Sequence, residues 1–572
     1  MGMSLYLIDA IGPFFLDYER RNINWSKIPF ENLEKAGSFD QEKFERIVPL
    51  FRQFVTKARQ LGFNAVTLDD LAHLVQDSSY KKSLQEKISQ YRAAYRKLFT
   101  IARESGLAVF ITSDVMFFSE SLYEELGENV GRCTSFLRTA CDQTFEDFPE
   151  ISGVIFRIGE ADGVDVHTDF PSRLVLKTAK GTRRFLESLL PVFERKDKKL
   201  IFRTWSVGIN PVGDLNWNRD TFAEVFDGLH SPSLIISMKY GESDFFRFLP
   251  LNKLFFYSKH QKIIEFQARR EYEGFGEYPS FVGWEYQSYV MQLKTARNVV
   301  GCSVWCQTGG WSHFRKLTFL PGSSIWNELN TFVTINIFRK NWSAEQAIEA
   351  FYNERFSSGE WRQLVELLRL SDEAIRELIY IDDFSNRKMF FRRLRVPPVL
   401  WVYWDTIIVN HLMRKLLRVY VEDAEQVVAQ GRLALLKIRK MRALADAIGI
   451  EENGILFQLA TFQLLCAARE YYLLPFSQRR TEKLKRLKTA YEHQFPEGYE
   501  VELDFRPFSV SSKILGRMLS VLLRDKRGYR FLDRIFTIRM LRFLYPLVRW
   551  WEKKWLPPLV RQRAMGLESI FK

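Results

Sequence analysis

Cysteine is scarce in this chain. Five residues (Cys133, Cys141, Cys302, Cys306 and Cys466) are scattered over 572 positions, too few and too dispersed for a disulfide framework. Cys302 and Cys306 share one apolar run with no second pair or histidine nearby, so no metal site and no cofactor are predicted. A reduced, cytoplasmic setting is expected. There is no stretch of eighteen uncharged apolar residues, which argues against a membrane-spanning helix. The first residues, MGMSLYLIDAIGPFF, lack a basic leader and run directly into an apolar segment, so no signal peptide is expected. No glycine-rich GxGxxG or GxxxxGK[ST] loop follows any apolar run, which speaks against a nucleotide-binding fold. Solenoid-period repeats and low-complexity tracts are missing as well.

What is present is a soluble globular composition, 46% hydrophobic and 27% charged, in a chain long enough for more than one domain. Aromatic residues reach 15%, including 49 Phe and 14 Trp. Most of them are expected to fill the core, where burial is their main energetic use. Net charge is +14, and from Val521 to Lys572 there are 13 Lys and Arg against 4 Asp and Glu, so this tail holds most of the excess.

Eight short runs rich in Val, Ile, Leu and Phe punctuate the first 340 residues, and most stop at a polar or charged side chain. They are SLYLIDA, ending near Asp9; FNAVTLDD, ending at Asp69 and Asp70; LAVFITSD, ending at Asp114; GVIFRIGE, ending at Glu160; KLIFRTWS, with Arg203 and Trp205; SLIISMKY, ending at Lys239; KIIEFQ, with Glu265 and Gln267; and GCSVWCQ, ending at Gln307. Such runs suit strands buried on both faces of a parallel sheet. Segments of helical period lie between them, for example Phe44 to Leu61, Ser83 to Ser105, Ser119 to Phe148 and Trp284 to Asn298. Eightfold alternation predicts an α/β fold, a (β/α)8 TIM barrel over residues 1–340, with chemistry at the carboxyl ends of the strands. A doubly wound open sheet would alternate in the same way. Near Asn341, Ser343 followed by Gln346 has capping-box spacing. Beyond it, periodicity predicts an all-α helical domain over 341–572, with helices at Trp361 to Leu370, Ser371 to Leu378, Pro398 to Gln430, Arg432 to Ala447, Gly454 to Tyr472 and Ser477 to His493.

The ordered strand-end residues resemble those of glycoside hydrolase family 67, the α-glucuronidases. The resemblance runs from about Gly153 to Ala350. It is densest from SLIISMKYGESDFF through KIIEFQARREYEG, and it continues in SIWNELNTFVTINIFRKNWSAEQAIEAFY. It implies a barrel followed by a helical domain that removes glucuronic or 4-O-methylglucuronic acid from xylan fragments with inversion. On that resemblance Glu160 matches the general acid, Arg203 and Lys239 the cationic pair holding the uronate, and Asp244 and Glu271 the carboxylates that activate water. Glu265 is a rival for the second of these. Asp69, Asp70, Asp114, Trp205, Glu285, Trp305, Gln307, Trp311 and His313 are candidates for sugar subsites. The chemistry agrees with these residue types. An inverting hydrolase needs a protonated carboxyl at the glycosidic oxygen and an ionised one across the ring with room for water. An anionic sugar adds the need for a fixed cation. Glu160 would need a raised pKa, through burial or a neighbour such as Asp114.

Each residue also has a purely structural role open to it. Glu160 could be a salt-bridge partner of Arg157 or Arg203, Asp244 a helix cap, and the two cations partners of mouth carboxylates. The sequence departs from the family in two places: its α/β domain ahead of the barrel has no counterpart, and ADGVDVHTDF replaces its glycine and proline run after the acid. The tail RGYRFLDRIFTIRMLRFLYPLVRWWEKKWLPPLVRQ interleaves Arg with apolar residues, a composition that fits either a membrane-surface helix or one packed on its own domain or on a second subunit of a homodimer. The alternative to a hydrolase is therefore an inactive carbohydrate-binding or polysaccharide-assembly protein held at an anionic membrane by residues 521–572. No specific nucleic-acid motif accompanies the charge.

Overall fold

Each of the eight apolar runs forms a strand. The computed structural model describes residues 5–18, 27–158, 168–206, 210–307, 314, 316–357, 359–381, 385, 390–391, 394–395, 402–451, 453–506 and 517. In it β1 (Leu5–Asp9), β2 (Ala65–Asp69), β3 (Ala108–Asp114), β4 (Ile151–Arg157), β5 (Lys199–Arg203), β6 (Leu234–Lys239), β7 (Gln261–Gln267) and β8 (Val299–Trp305) close into a parallel barrel. Every strand pairs with its neighbours in chain order, and β8 closes on β1 through Leu7↔Ser303. The fold is a (β/α)8 barrel followed by a helical region.

Strand parity divides the side chains. Leu5, Leu7, Ala65, Phe110, Ile155, Ile201, Ile235 and Ile263 form a separate apolar cluster that plugs the barrel. The alternate positions, such as Ile8, Val66, Ile111 and Phe202, join the larger core beneath the helices. Gly153 sits inward at the crowded end. A Cβ there would lie 2.1 Å from the Lys199 carbonyl oxygen and 2.8 Å from the Phe110 ring, so only glycine admits Phe110 to the plug.

The covering helices follow from their periodicity and caps. Gln41–Leu61 buries Phe44, Ile47, Phe51, Phe54, Val55 and Ala58 on one face. Asp40 caps it by accepting from the Lys43 N–H at 3.0 Å, and Gly62 ends it at φ +104°, a conformation in which other residues are strained. Burying each of its Phe side chains contributes about 1.5–3 kcal/mol. The segment expected as one helix from Ser119 to Phe148 is instead two, Glu120–Leu126 and Val130–Asp147, because Gly127 adopts positive φ and Asn129 caps the second. The crossing between β6 and β7 contains only one helical turn, Leu254–Tyr257.

Ser343 and Gln346 form a reciprocal capping box on Ala344–Arg355. The helices expected at Trp361 to Leu370 and Ser371 to Leu378 are one, Trp361–Leu378, in which the Ser371 hydroxyl donates to the Pro279 carbonyl of a barrel loop. The expected helix from Pro398 to Gln430 is corrected. Thr406–Asn410 is a strand, antiparallel to Val402–Tyr403 and parallel to Glu500–Asp504, and helix begins only at His411. The β-branched run Thr-Ile-Ile-Val prefers a pleated surface, and a partner ninety residues away supplies one. The helices Ala424–Ile448, Asn453–Leu473 and Gln478–Gln494 complete the region. Among the described residues no helix is long and apolar enough to cross a membrane, and all five cysteines are buried and unbridged. The basic tail, 521–572, lies outside the described residues.

Candidate active site

Counting forward by twos from the apolar plug gives the inward side chains at the barrel mouth. Leu7 leads to Asp9, Ala65 to Thr67 and Asp69, Phe110 to Thr112 and Asp114, and Ile155 to Arg157. Ile201 leads to Arg203, Ile235 to Ser237 and Lys239, Ile263 to Glu265 and Gln267, and Gly301 to Ser303 and Trp305. The barrel therefore changes from hydrocarbon to a charged layer within one or two residues, at the end where such barrels perform chemistry.

The first cluster of charges lies across β5, β6 and β7. Arg203 pairs in register with Ser237, and Lys239 with Glu265. Arg203 grips Glu265 in bidentate fashion, Nε to Oε1 at 3.1 Å and Nη2 to Oε2 at 3.0 Å, while the Ser237 hydroxyl donates to Oε1 at 2.7 Å. The Trp305 ring lies over the guanidinium, 4.5 Å from Cζ. Glu265 is only 1% exposed. Burial pushes its carboxyl up, but the Arg203 charge and hydrogen bonds, with Lys239 and Ser237, hold it below the usual carboxylate range.

The second cluster is built on Lys239, whose ammonium bonds to Asp244 on the loop after β6. It also lies 3.9 Å from the centroid of Trp205 and 4.3 Å from that of Phe245. Tyr272 donates its hydroxyl to the other Asp244 oxygen at 2.7 Å, and the Phe245 N–H donates to the first at 2.9 Å. Burial raises the Asp244 carboxyl, Lys239 and the three hydrogen bonds outweigh it, and the net direction is down. Its side chain is 17% exposed against 4% for Lys239, so the ionised carboxylate is the member of the pair that meets solvent.

The third cluster occupies the opposite arc. Arg157 Nε donates to Asp114 at 2.9 Å, Lys27 pairs with the other Asp114 oxygen, and Asp69 stands 3.7 Å from Arg157 Nη2. Asp114 is held ionised below its usual range against the opposing effect of burial, through Arg157 and Lys27. Asp69 is pushed up to about 6 by burial, with Arg157 opposing, and accepts from the Ile28 N–H at 2.9 Å. Asp9 is likewise raised to about 6 by burial, although its oxygens accept from the Cys306 and Gln307 N–H groups at 2.6 and 3.0 Å.

Of the candidates named from sequence, the structure thus brings Arg203, Lys239, Asp244, Glu265, Trp205 and Trp305 together on one arc, with Asp69 and Asp114 on the other. Glu271 is buried in the loop after β7, its N–H donating to Gln267 at 3.2 Å. Three candidates are committed elsewhere. Asp70 caps the turn at Leu71–His73 and bonds to the His73 ring at 2.6 Å. Gln307 exchanges two hydrogen bonds with Thr318. Glu285, on the helix Gly283–Leu293, accepts from the Phe248 N–H at 2.7 Å and the Tyr289 hydroxyl at 2.9 Å, which fixes the loop carrying Asp244. Glu160, Trp311 and His313 lie outside the described residues. Arg157 entered the sequence reading only as a salt-bridge partner of Glu160, and Ser237, Lys27 and Tyr272 are site residues that it did not name. Parity would have found the first two, whereas the others reach the mouth from loops.

No family model matches the chain, and no curated protein matches it, so the likeness to family 67 rests on the residues quoted above. Among solved structures it is similar to a glycoside hydrolase family 138 enzyme targeting pectin rhamnogalacturonan II, with a TM-score of 0.50 and 12% identity over 86% of this chain. This chain spans 62% of that protein's length. Weaker similarities, both with TM-scores of 0.31 over 50% of this chain, are to an endoglucanase at 12% identity, of which 89% is covered, and to a family 5 glycoside hydrolase from Prevotella bryantii B14 at 9% identity, of which 85% is covered. At these identities the likeness establishes the barrel and its helical companion, not the reaction.

Proposed function

We propose that this barrel is a glycoside hydrolase of the α-glucuronidase type, cleaving at a uronic or related anionic sugar of an oligosaccharide or polysaccharide with inversion. The observation that carries the reading is the Lys239–Asp244–Tyr272 cluster. It contains a partly exposed carboxylate kept ionised by a cation and a phenol, with the Trp205 indole on the same ammonium. Such a carboxylate can take a proton from water, and indole faces beside it suit a sugar ring. In this reading Asp244 is the base, assisted by Glu271 or Glu265, and Glu160 is the acid. Lys239 and Arg203 receive the substrate's carboxylate. The Nε–Nη2 edge of Arg203 already faces Glu265, so the Lys239 ammonium, with three donors, has more capacity for a second carboxylate. The similar family 138 enzyme targets pectin rhamnogalacturonan II, which is in keeping with a carbohydrate substrate.

One observation favours the second reading, a carbohydrate-binding barrel without turnover. Both cations are already matched by protein carboxylates. An assay on uronate-capped oligosaccharides with the native protein, Glu160→Gln and Asp244→Asn separates the two. The hydrolase reading expects release of the acidic sugar by the native protein and a loss of at least a hundredfold in each variant. Binding without release would favour the second reading, and equal rates in all three proteins would remove both residues from their roles.

A further inference from the structure

Among the described residues of the helical region, Trp404 reaches this site. Trp404 lies at the turn between Val402–Tyr403 and Thr406–Asn410, and its ring centroid is 6.2 Å from that of Tyr272, tilted by 33°. The Trp404 ring packs beside Tyr272, whose hydroxyl donates to Asp244 at 2.7 Å. Tyr272 is also stacked on Phe246, with ring centroids 4.2 Å apart, which helps to fix the phenol.

The backbone at this tryptophan is strained. Trp404 has φ +48°, a region that bulky residues occupy at a cost and that glycine or asparagine would adopt freely. Phe275 and Phe319 share that conformation but are buried, so core packing offsets their strain. Trp404, like Phe248 at φ +60°, is half-buried and packs against the core. Its turn is well anchored: Asp405 is buried, and its carbonyl accepts from the Glu500 N–H at 2.9 Å. A flat, partly exposed indole is therefore held, on backbone at positive φ, beside the phenol that orients Asp244, while Trp205 lies against Lys239, the cation paired with the same carboxylate.

We propose that Trp404 is a substrate-binding residue of this site, its indole forming one wall for a sugar ring above Asp244, with Trp205 forming the other. The inference rests on the carbohydrate reading given above and deepens it, because it makes the helical region part of the binding site. The acidic sugar would enter between two indoles with its carboxylate toward Lys239.

The test is calorimetric titration of the full chain and of Trp404→Gly, Trp404→Phe and Trp404→Ala with three probes: a glucuronate-capped xylo-oligosaccharide, an oligogalacturonide and a neutral xylo-oligosaccharide. Thermal melting and a pH–rate profile accompany it. Trp404→Gly is expected to melt at or above the native temperature, because glycine relieves the turn, yet to bind the acidic probes at least tenfold more weakly. Trp404→Phe is expected to retain binding within about threefold. Native affinity in Trp404→Gly would overturn the proposal while leaving the hydrolase reading intact. Binding of only the neutral probe, lost in Trp404→Gly, would support the role of Trp404 and overturn the acidic substrate. A native chain that binds none of the three would overturn both.

Discussion

Glu273 should be the most sensitive single position joining the barrel to the helical region. It is fully buried and accepts from Arg247 Nε at 2.7 Å, Arg270 Nη2 at 3.0 Å, the Tyr380 hydroxyl at 2.7 Å and the Ser280 hydroxyl. Burial raises its carboxyl, but Arg247 and Arg270 more than reverse this and hold it well below the usual range. Arg247 reaches on to Asp372 of Trp361–Leu378, and Arg270 Nη2 donates to the Phe245 carbonyl at 2.9 Å, next to Asp244. Glu273→Gln leaves two buried guanidinium groups sharing a neutral amide. Breaking a buried pair in this way costs about 3–5 kcal/mol. Asp372 is 26% exposed, so Asp372→Asn should cost about 1 kcal/mol or less. Arg247→Met combined with Glu273→Gln removes both partners, and the pair should couple by about 1–3 kcal/mol. Urea unfolding followed by circular dichroism measures the native chain, the single variants Glu273→Gln, Asp372→Asn and Arg247→Met, and the double variant. Equal costs for Glu273→Gln and Asp372→Asn, or additivity of the double variant within about 0.5 kcal/mol, would refute the reasoning.

Three further outcomes are expected. Burial lifts Asp9 and Asp69 to about 6 from 3.8, so the folded chain binds more protons than the unfolded chain between those values. Their contribution to stability is complete below pH 3.8 and lost as pH rises through 6, about 3 kcal/mol each. Asp69→Asn should flatten that part of the stability–pH curve, and an unchanged slope would contradict the assignment. Tyr272→Phe removes a hydrogen bond to the ionised Asp244, so the acid limb of the kcat/KM profile should move to higher pH by about one unit; an unmoved limb would separate Tyr272 from the base. Sedimentation with anionic vesicles separates the two readings of the tail: a membrane-surface helix predicts salt-sensitive binding by the full chain that is lost on deleting 521–572, and a packed helix predicts no binding by either.

The barrel was legible because its signal is local. Val154, Ile155 and Phe156 or Ile235, Ile236 and Met238 can only be buried on both faces, and charge appears where the apolar plug ends. The same runs contained more than was read from them: parity from Ile155 and Ile235 points directly at Arg157 and Ser237. Tyr272 and Trp404 were not legible, since each reaches Asp244 through a loop or a turn whose position depends on partners far along the chain. The strand Thr406–Asn410 was missed for the same reason, because its partner Glu500–Asp504 is ninety residues away. Asp70, Gln307 and Glu285 share the residue types of a sugar site, and only coordinates show their bonds spent on His73, Thr318 and Phe248.

The central claim, that Asp244 activates water against an acidic sugar at this mouth, is tested most directly by proton NMR of the first sugar released from an α-linked, glucuronate-capped oligosaccharide. The account predicts that the β-anomer appears before mutarotation with the native chain and that release is abolished in Asp244→Asn. Initial release of the α-anomer, or release by Asp244→Asn at the native rate, would contradict it.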